Sequence, residues 1–237
     1  MTSPSPALPV ALTAYADPDA LARALAAHVA DALRARLSSD GAASLAVSGG
    51  RTPARFLEVL SGAPVDWRRI AVTLVDERWV PETSGRSNAA LVRRHLLQGP
   101  AAAARFVPLY TGDATPEDGL ATAEAALADL PAPFAAVILG MGDDGHTASF
   151  FPGADNLAAV TDPAGTAPLA AVRAEAAGEP RITFTLPPLV AADALFLHIE
   201  GAGKRAVLEQ ACAGAADLPI CAILRNARRP LDVLWCP

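Results

Sequence analysis

The densest group of chemically capable residues in this 237-residue chain is Gly140-Met141-Gly142-Asp143-Asp144-Gly145-His146-Thr147-Ala148-Ser149, directly behind the apolar run Val137-Ile138-Leu139. A β-branched apolar run that empties into glycines, carboxylates and a histidine reads as a buried strand handing over to a functional loop. An unperturbed imidazole titrates at about 6.5, so a loop histidine beside carboxylates suits proton transfer near neutral pH. His146 is therefore the leading candidate. The glycines at 140, 142 and 145 are expected to take positive φ and let the backbone approach a bound molecule. Two plainer readings compete. Residues 140–145 satisfy G-x-G-x-x-G, yet a dinucleotide site needs a full helix after the turn and an acid about 20 residues on. Pro152-Gly153 closes the segment early, and only Asp162 lies near that distance. The other is a Gly-rich turn whose histidine caps a helix, and it loses ground only through the company His146 keeps.

That company is three further polar turns behind apolar runs. Ser44-Leu45-Ala46-Val47 opens into Ser48-Gly49-Gly50-Arg51-Thr52-Pro53, where Thr52-Pro53 reads as an N-cap with proline in the first turn. Glycines just before a helix N-terminus, with its free N–H groups and positive dipole end, make a candidate anion cradle. An ordinary strand-to-helix turn fits those six residues equally, and Arg51 either adds a cation or faces solvent. Ile70 to Val75 ends in Asp76-Glu77-Arg78, three ionisable groups that are costly beside a buried strand unless paired or used. Ala194 to Ile199 ends in Glu200-Gly201-Ala202-Gly203-Lys204. A lysine at a helix start opposes the dipole, a conflict that an anionic ligand resolves and that solvent reduces to a few tenths of a kcal/mol.

The elements that must position these turns follow from periodicity. Asp17-Pro18-Asp19 caps a helix carrying Leu21, Leu25, Val29, Leu33 and Leu37 on one stripe. Ser87 caps a helix from Asn88 through Leu96, and Thr115-Pro116 starts one that runs to about Asp129. Residues 155–179, rich in Ala, Pro and Gly, read as loop or short irregular segments. Arg181-Ile182-Thr183-Phe184-Thr185-Leu186 alternates and reads as a half-exposed strand, with a short helix from Pro187-Pro188. Pro219 to Leu224 and Leu231 to Trp235 read as the last strands. His28, His95 and His198 read as surface or packed histidines.

Length suits one α/β domain over residues 1–237, and 52% hydrophobic residues suffice for its core. A net charge of −6 argues against nucleic-acid or anionic-membrane partners, which call for a basic face. Cys212, Cys221 and Cys236 have neither disulfide-framework nor zinc spacing. With no secretory leader and no apolar run near 18 residues, the expected location is the cytoplasm. The expected architecture is a mostly parallel, Rossmann-like central sheet flanked by helices. Ligands of such sheets bind outside the carboxyl ends of the strands, so the four turns are expected to meet there.

At this point the chain resembles the 6-phosphogluconolactonases of the sugar-phosphate isomerase/lactonase superfamily. The likeness rests on Ser48-Gly49-Gly50-Arg51-Thr52-Pro53, on Asp76-Glu77-Arg78-Trp79-Val80-Pro81 with Ser87-Asn88, on residues 140–149, and on Arg181-Ile182-Thr183 with Gly201 and Lys204. The resemblance implies hydrolysis of 6-phospho-D-glucono-1,5-lactone in the oxidative pentose phosphate pathway, with no cofactor and no metal. It implies His146 as the base that activates water, Asp144 or Asp76 as the orienting carboxylate and Arg78 as the oxyanion or sugar contact. Ser48, Gly49, Gly50, Arg51, Thr52, Arg181 and Lys204 would hold the phosphorylated sugar, in a monomer or weak homodimer. Departures are Arg51 for a common serine, Phe150 for a common leucine and Val190 where asparagine is expected. The competing likeness is to glucosamine-6-phosphate deaminases, which typically carry Asp-Glu-Tyr where this chain has Asp76-Glu77-Arg78, and Ile-Ala-Phe-Asn-Glu after the histidine. A non-catalytic sugar-phosphate sensor of the same fold would need no poised base.

Overall fold

The computed structural model describes residues 10–50 and 52–237. The first half of the chain forms β1 (Val10–Ala14), α1 (Pro18–Asp40), β2 (Ala43–Val47), α2 (Ala54–Ser61), β3 (Ile70–Leu74), β4 (Asp76–Arg78), α3 (Asn88–His95), β5 (Arg105–Val107) and α4 (Pro116–Leu127). The second half forms β6 (Ala136–Leu139), α5 (Leu157–Val160), β7 (Leu169–Val172), β8 (Arg181–Phe184), α6 (Leu186–Val190), β9 (Ala194–Glu200), α7 (Ala202–Cys212), α8 (Ile220–Asn226) and β10 (Leu231–Cys236). Seven strands make one sheet in the order β1-β10-β9-β6-β2-β3-β5, every neighbour pair parallel. A second, antiparallel sheet has the order β4-β8-β7.

Local chemistry accounts for the elements. The Asp17 side chain accepts the Ala20 N–H at 2.8 Å, Pro18 sits in the first turn, and Gly41 at φ 82° ends α1 with its N–H on the Leu37 carbonyl. Leu21, Leu25, Val29 and Leu33 are all fully buried, and α1 lies across β2, β6, β9 and β10. Strands β2, β3 and β6 are buried throughout and, but for Ser44 and Thr73, apolar, as suits parallel strands covered on both faces. The joint between the two sheets is Val75. Its N–H donates to the Val47 carbonyl of the large sheet at 2.9 Å, and its own carbonyl accepts from Phe184 of the small one at 3.0 Å.

Several expectations are corrected. Residues 219–224 are the start of helix α8, with Ile220, Ile223 and Leu224 buried at helical spacing, where a strand was expected. The polar–apolar alternation of residues 181–184 does not make β8 half-exposed. It is the central strand of the small sheet and all four residues are buried, because their polar groups are paired inside. The segment 155–179 contains β7, and Asp76–Arg78 is a strand, β4, where a loop was expected. Thr52 does not cap α2. That helix starts at Ala54, with Pro53 at the cap and no side-chain bond to its first N–H groups. Strand β1 was not expected, since four of its five residues face solvent at the sheet edge. Among the described residues no helix is long and apolar enough to cross a membrane. Leu25→Ala is expected to cost about 2–5 kcal/mol in urea unfolding. A cost below 1 kcal/mol would mean that α1 is not anchored through this stripe.

Candidate active site

The carboxyl ends of β2, β3, β6 and β9 open onto one cleft of about 320 Å³. Its lining includes Ser48, Gly49, Gly50 and Thr52 from the first turn, Asp76 and Arg78 from β4, and His146 from the loop behind β6. Arg181 of β8 and Lys204 of α7 also line it. Asp144 does not reach the cleft itself but holds a residue that does. Arg51 lies outside the described residues. Phe151, Asn88 and His198 line the cleft as well, and sequence reasoning gave none of them a role.

The histidine loop is folded by its own backbone. The Gly142 N–H donates to the His146 carbonyl at 2.9 Å, and the Asp144 side chain accepts the His146 backbone N–H at 3.1 Å. The same Asp144 oxygen stands 2.6 Å from His146 Nδ1. A carboxylate at that distance fixes the proton on Nδ1 and leaves Nε2 with a free lone pair. The ring packs on Phe151, centroids 4.5 Å apart, and remains one-third exposed. Of the three glycines expected at positive φ, only Gly145 takes it, at 75°. Gly142 serves space instead, since a Cβ there would come within 2.3 Å of the His146 ring.

The opposite wall is built on a buried carboxylate. Glu77 is fully buried, and its two oxygens accept from the N–H groups of Arg78, Asn88 and Ala89 and from the Ser87 hydroxyl, at 2.7 to 3.0 Å. Burial pushes its carboxyl up from the usual range, and these four donors pull it back. Asn88 is thereby fixed at the start of α3. Its Oδ1 accepts from Arg78 at 2.9 Å, and its Nδ2 donates to the Asp76 carbonyl at 2.8 Å. Arg78 also donates to the Arg86 carbonyl at 2.6 Å. Asp76 accepts from Ser149 Oγ at 2.7 Å and lies 3.6 Å from an Arg181 nitrogen. Arg181 donates to the Ala177 carbonyl, stacks over Phe151, and has its affinity for the proton lowered chiefly by burial. Of the two carboxylates expected to orient the imidazole or the water, Asp144 contacts the imidazole, while Asp76 is engaged with Ser149 and Arg181.

At the third side, Ser48 Oγ donates to the Ile138 carbonyl at 2.9 Å and accepts from the Gly140 N–H at 3.2 Å, tying the first turn to the histidine loop. Gly49 admits Asn88, whose Oδ1 would lie 1.7 Å from a Cβ at that position. Gly50 has φ 99° and open space before it. Lys204 has no ion-pair partner among the described residues, and His198 is buried beside it with a pKa lowered to about 4, first by burial and then by the Lys204 charge. Among the described residues no group of three or more His, Cys, Asp and Glu is placed to hold a metal ion.

A parallel α/β sheet with an acid–imidazole pair, two helix starts and several cations around one cleft has the chemistry that suits a small anionic ligand. The chain belongs to the family of glucosamine-6-phosphate isomerases and 6-phosphogluconolactonases, whose model matches residues 16–235. It is 51% identical to the 6-phosphogluconolactonase of Mesorhizobium japonicum, over 94% of each chain. It is 50% identical to that of Rhizobium meliloti, over 94% of this chain and 97% of the other. The crystal structure of a 6-phosphogluconolactonase from Shewanella baltica is similar at a TM-score of 0.91 and 36% identity, covering 96% and 98% of the two chains.

Two outcomes follow from the cleft geometry. Gly49→Ala is expected to cost about 1–3 kcal/mol by overpacking against Asn88, with Gly49→Ala/Asn88→Ala costing less than the sum of the two single changes. Additive costs would remove the steric account. For His198 the folded pKa of about 4 lies below the ordinary 6.5, so the unfolded chain binds the proton first. Stability from this group is complete above pH 6.5 and falls as pH drops toward 4, by a total on the order of 3 kcal/mol. Urea unfolding at pH 7.5, 6 and 5 should show a shallower acid loss in His198→Leu than in the parent. Equal slopes would contradict it.

Proposed function

We propose that the protein hydrolyses 6-phospho-D-glucono-1,5-lactone to 6-phospho-D-gluconate, the lactone-opening step of the oxidative pentose phosphate pathway. The observation that carries this reading is a single cleft shared by the Asp144-held His146, the Ser48-Gly49-Gly50 turn and Lys204, in a chain whose relatives are named 6-phosphogluconolactonases.

His146 Nε2 takes a proton from a water molecule as its oxygen attacks the lactone carbonyl carbon. Asp144 keeps the other ring nitrogen protonated and steadies the imidazolium that forms. The carbonyl oxygen becomes an oxyanion, which the Arg78 guanidinium, braced by Asn88 and the Arg86 carbonyl, stabilises. Collapse of the tetrahedral intermediate breaks the bond to the ring oxygen, which takes the proton back from Nε2. The carboxylic acid formed then ionises. The phosphate lies at the uncapped start of α2 and the first turn, with Lys204 as its charge partner and Thr52 beside it. Arg181, paired with Asp76, borders the sugar.

His146→Ala is expected to lower the enzymatic rate about 10²- to 10⁴-fold once spontaneous lactone hydrolysis is subtracted. Full activity in that variant would overturn the role given to the imidazole. Ammonia release from glucosamine 6-phosphate, in place of lactone hydrolysis, would overturn the substrate.

A further inference from the structure

Asp144 and His146 are separated by a single residue, and the backbone of that residue sets their contact. One Asp144 oxygen accepts the His146 backbone N–H at 3.1 Å and stands 2.6 Å from Nδ1 of the ring. The two side chains are 39% and 33% exposed, and an exposed pair of this kind does little to hold its own geometry. The turn therefore has to be held from outside. Gly145, at φ 75°, is tied by both of its backbone polar groups. Its N–H donates to the Gly142 carbonyl at 3.1 Å, and its carbonyl accepts the Ile220 N–H of α8 at 3.0 Å. The side on which a Cβ would project is covered by Leu218, whose Cβ and Cδ1 would stand 2.8 and 2.9 Å from it.

Leu218 is itself fixed in place. It lies on the connector between α7 and α8, and its carbonyl accepts the Cys221 N–H at 2.8 Å. The buried Cys221 thiol donates to the Ala216 carbonyl at 3.6 Å, and the Ala215 N–H donates to the Gln210 carbonyl of α7 at 3.0 Å. The side chain packs at the edge of the core and is not among the residues that line the cleft. Its route to the imidazole runs through Gly145.

We propose that Leu218 is a positioning residue of the reaction. By closing over Gly145 it holds Asp144 against Nδ1, and so keeps the imidazole in the tautomer whose Nε2 takes a proton from water. This rests on the lactonase reading above, in which His146 is the base. Phe151 supports the ring, and Leu218 supports the turn that aims it. Without the Leu218 side chain Gly145 gains room on that side, and glycine resists least because it populates both signs of φ. A change of backbone torsion there swings Asp144 away from Nδ1. The ring then divides between its two neutral tautomers, and only one of them offers an Nε2 lone pair. An ordinary packing contact on the connector would behave differently, lowering the melting temperature without changing catalysis by the folded molecules.

The test is to assay Leu218→Ala on 6-phospho-D-glucono-1,5-lactone with spontaneous hydrolysis subtracted, beside Leu218→Met as the conservative control. Leu218→Ala is expected to lower kcat about 10- to 100-fold, the scale of a misplaced catalytic group. KM should stay within about twofold, since no group that faces the substrate is removed. Leu218→Met, close in volume, should keep the parent rate. Imidazole nitrogen spectra at pH 8, with the His146 signals identified by their absence from His146→Gln, should show the Nδ1–H tautomer alone in the parent and both tautomers in Leu218→Ala. If Leu218→Ala does not fold, Leu218→Val, which lacks the δ carbon over Gly145, is put through the same two measurements. An unchanged kcat, a rise in KM alone, or a His146 that keeps the parent tautomer in the folded variant would overturn the role of Leu218 and leave the lactonase reading standing. A parent protein that does not open the lactone would remove both.

Discussion

A carboxylate sealed from water has to be surrounded by donors, and the way Glu77 meets that demand shapes the cleft. Its four donors come from its own strand and from the first turn of α3, where unpaired N–H groups need an acceptor as much as the carboxylate needs donors. The match locks β4 to α3, and two residues that face the cleft, Arg78 and Asn88, flank the lock. Asn88 is itself buried, whereas Arg78 is not. Arg78 is partly exposed, yet its guanidinium is aimed by Asn88 and by the Arg86 carbonyl, both placed by the segment that Glu77 anchors. Loosening Glu77 would therefore alter the cationic wall without touching any group that faces the ligand.

The same wall shows why two sheets are present. A strand that simply continued the parallel sheet past Val75 would carry Asp76, Glu77 and Arg78 into solvent beyond the strand ends. By leaving one sheet and entering another at Val75, the chain turns those residues under the histidine loop. There Asp76 meets Arg181 from β8 and Ser149 from the loop behind β6. Arg181 is nearly buried, so its charge is tolerable only beside Asp76 and over the Phe151 face. Phe151 in turn supports the His146 ring. The small sheet thus supplies the base under which the imidazole is held.

What the sequence made legible was local, and what it hid was not. The stripe of Leu21, Leu25, Val29 and Leu33, the Asp17 and Ser87 caps and the handover from Leu139 to the His146 loop each depend on residues a few positions apart. The contact between Gly49 and Asn88 depends on a fold that brings two distant segments together, and nothing near either residue announces it. Asn88 drew notice only as part of a familiar pair. The alternation over residues 181–184 misled because strand periodicity reports the polarity of alternate faces, whereas here the polar side chains are satisfied inside. Residues 219–224 misled because a short apolar run carries no period of its own, and α8 was decided by packing. Thr52 looked like a cap, but with Pro53 following, the helix begins one residue later.

The two histidines of the cleft show how little a residue type determines by itself. Each has a carboxylate partner, Asp144 for His146 and Glu200 for His198, and the partners engage opposite ring nitrogens. His146 stays one-third open, with its free nitrogen available to a water molecule, whereas the side chain of His198 is 3% exposed and lies near a lysine. A ring that is to exchange a proton with water needs access, which His146 has and His198 lacks. A permanent second cation beside Lys204 would repel it in the empty cleft and would add a desolvation cost to every unliganded molecule. A neutral imidazole, which burial and the Lys204 charge both favour, avoids that cost. Exposure thus sets the two imidazoles apart, one open to water at the mouth of the cleft and one sealed in its wall.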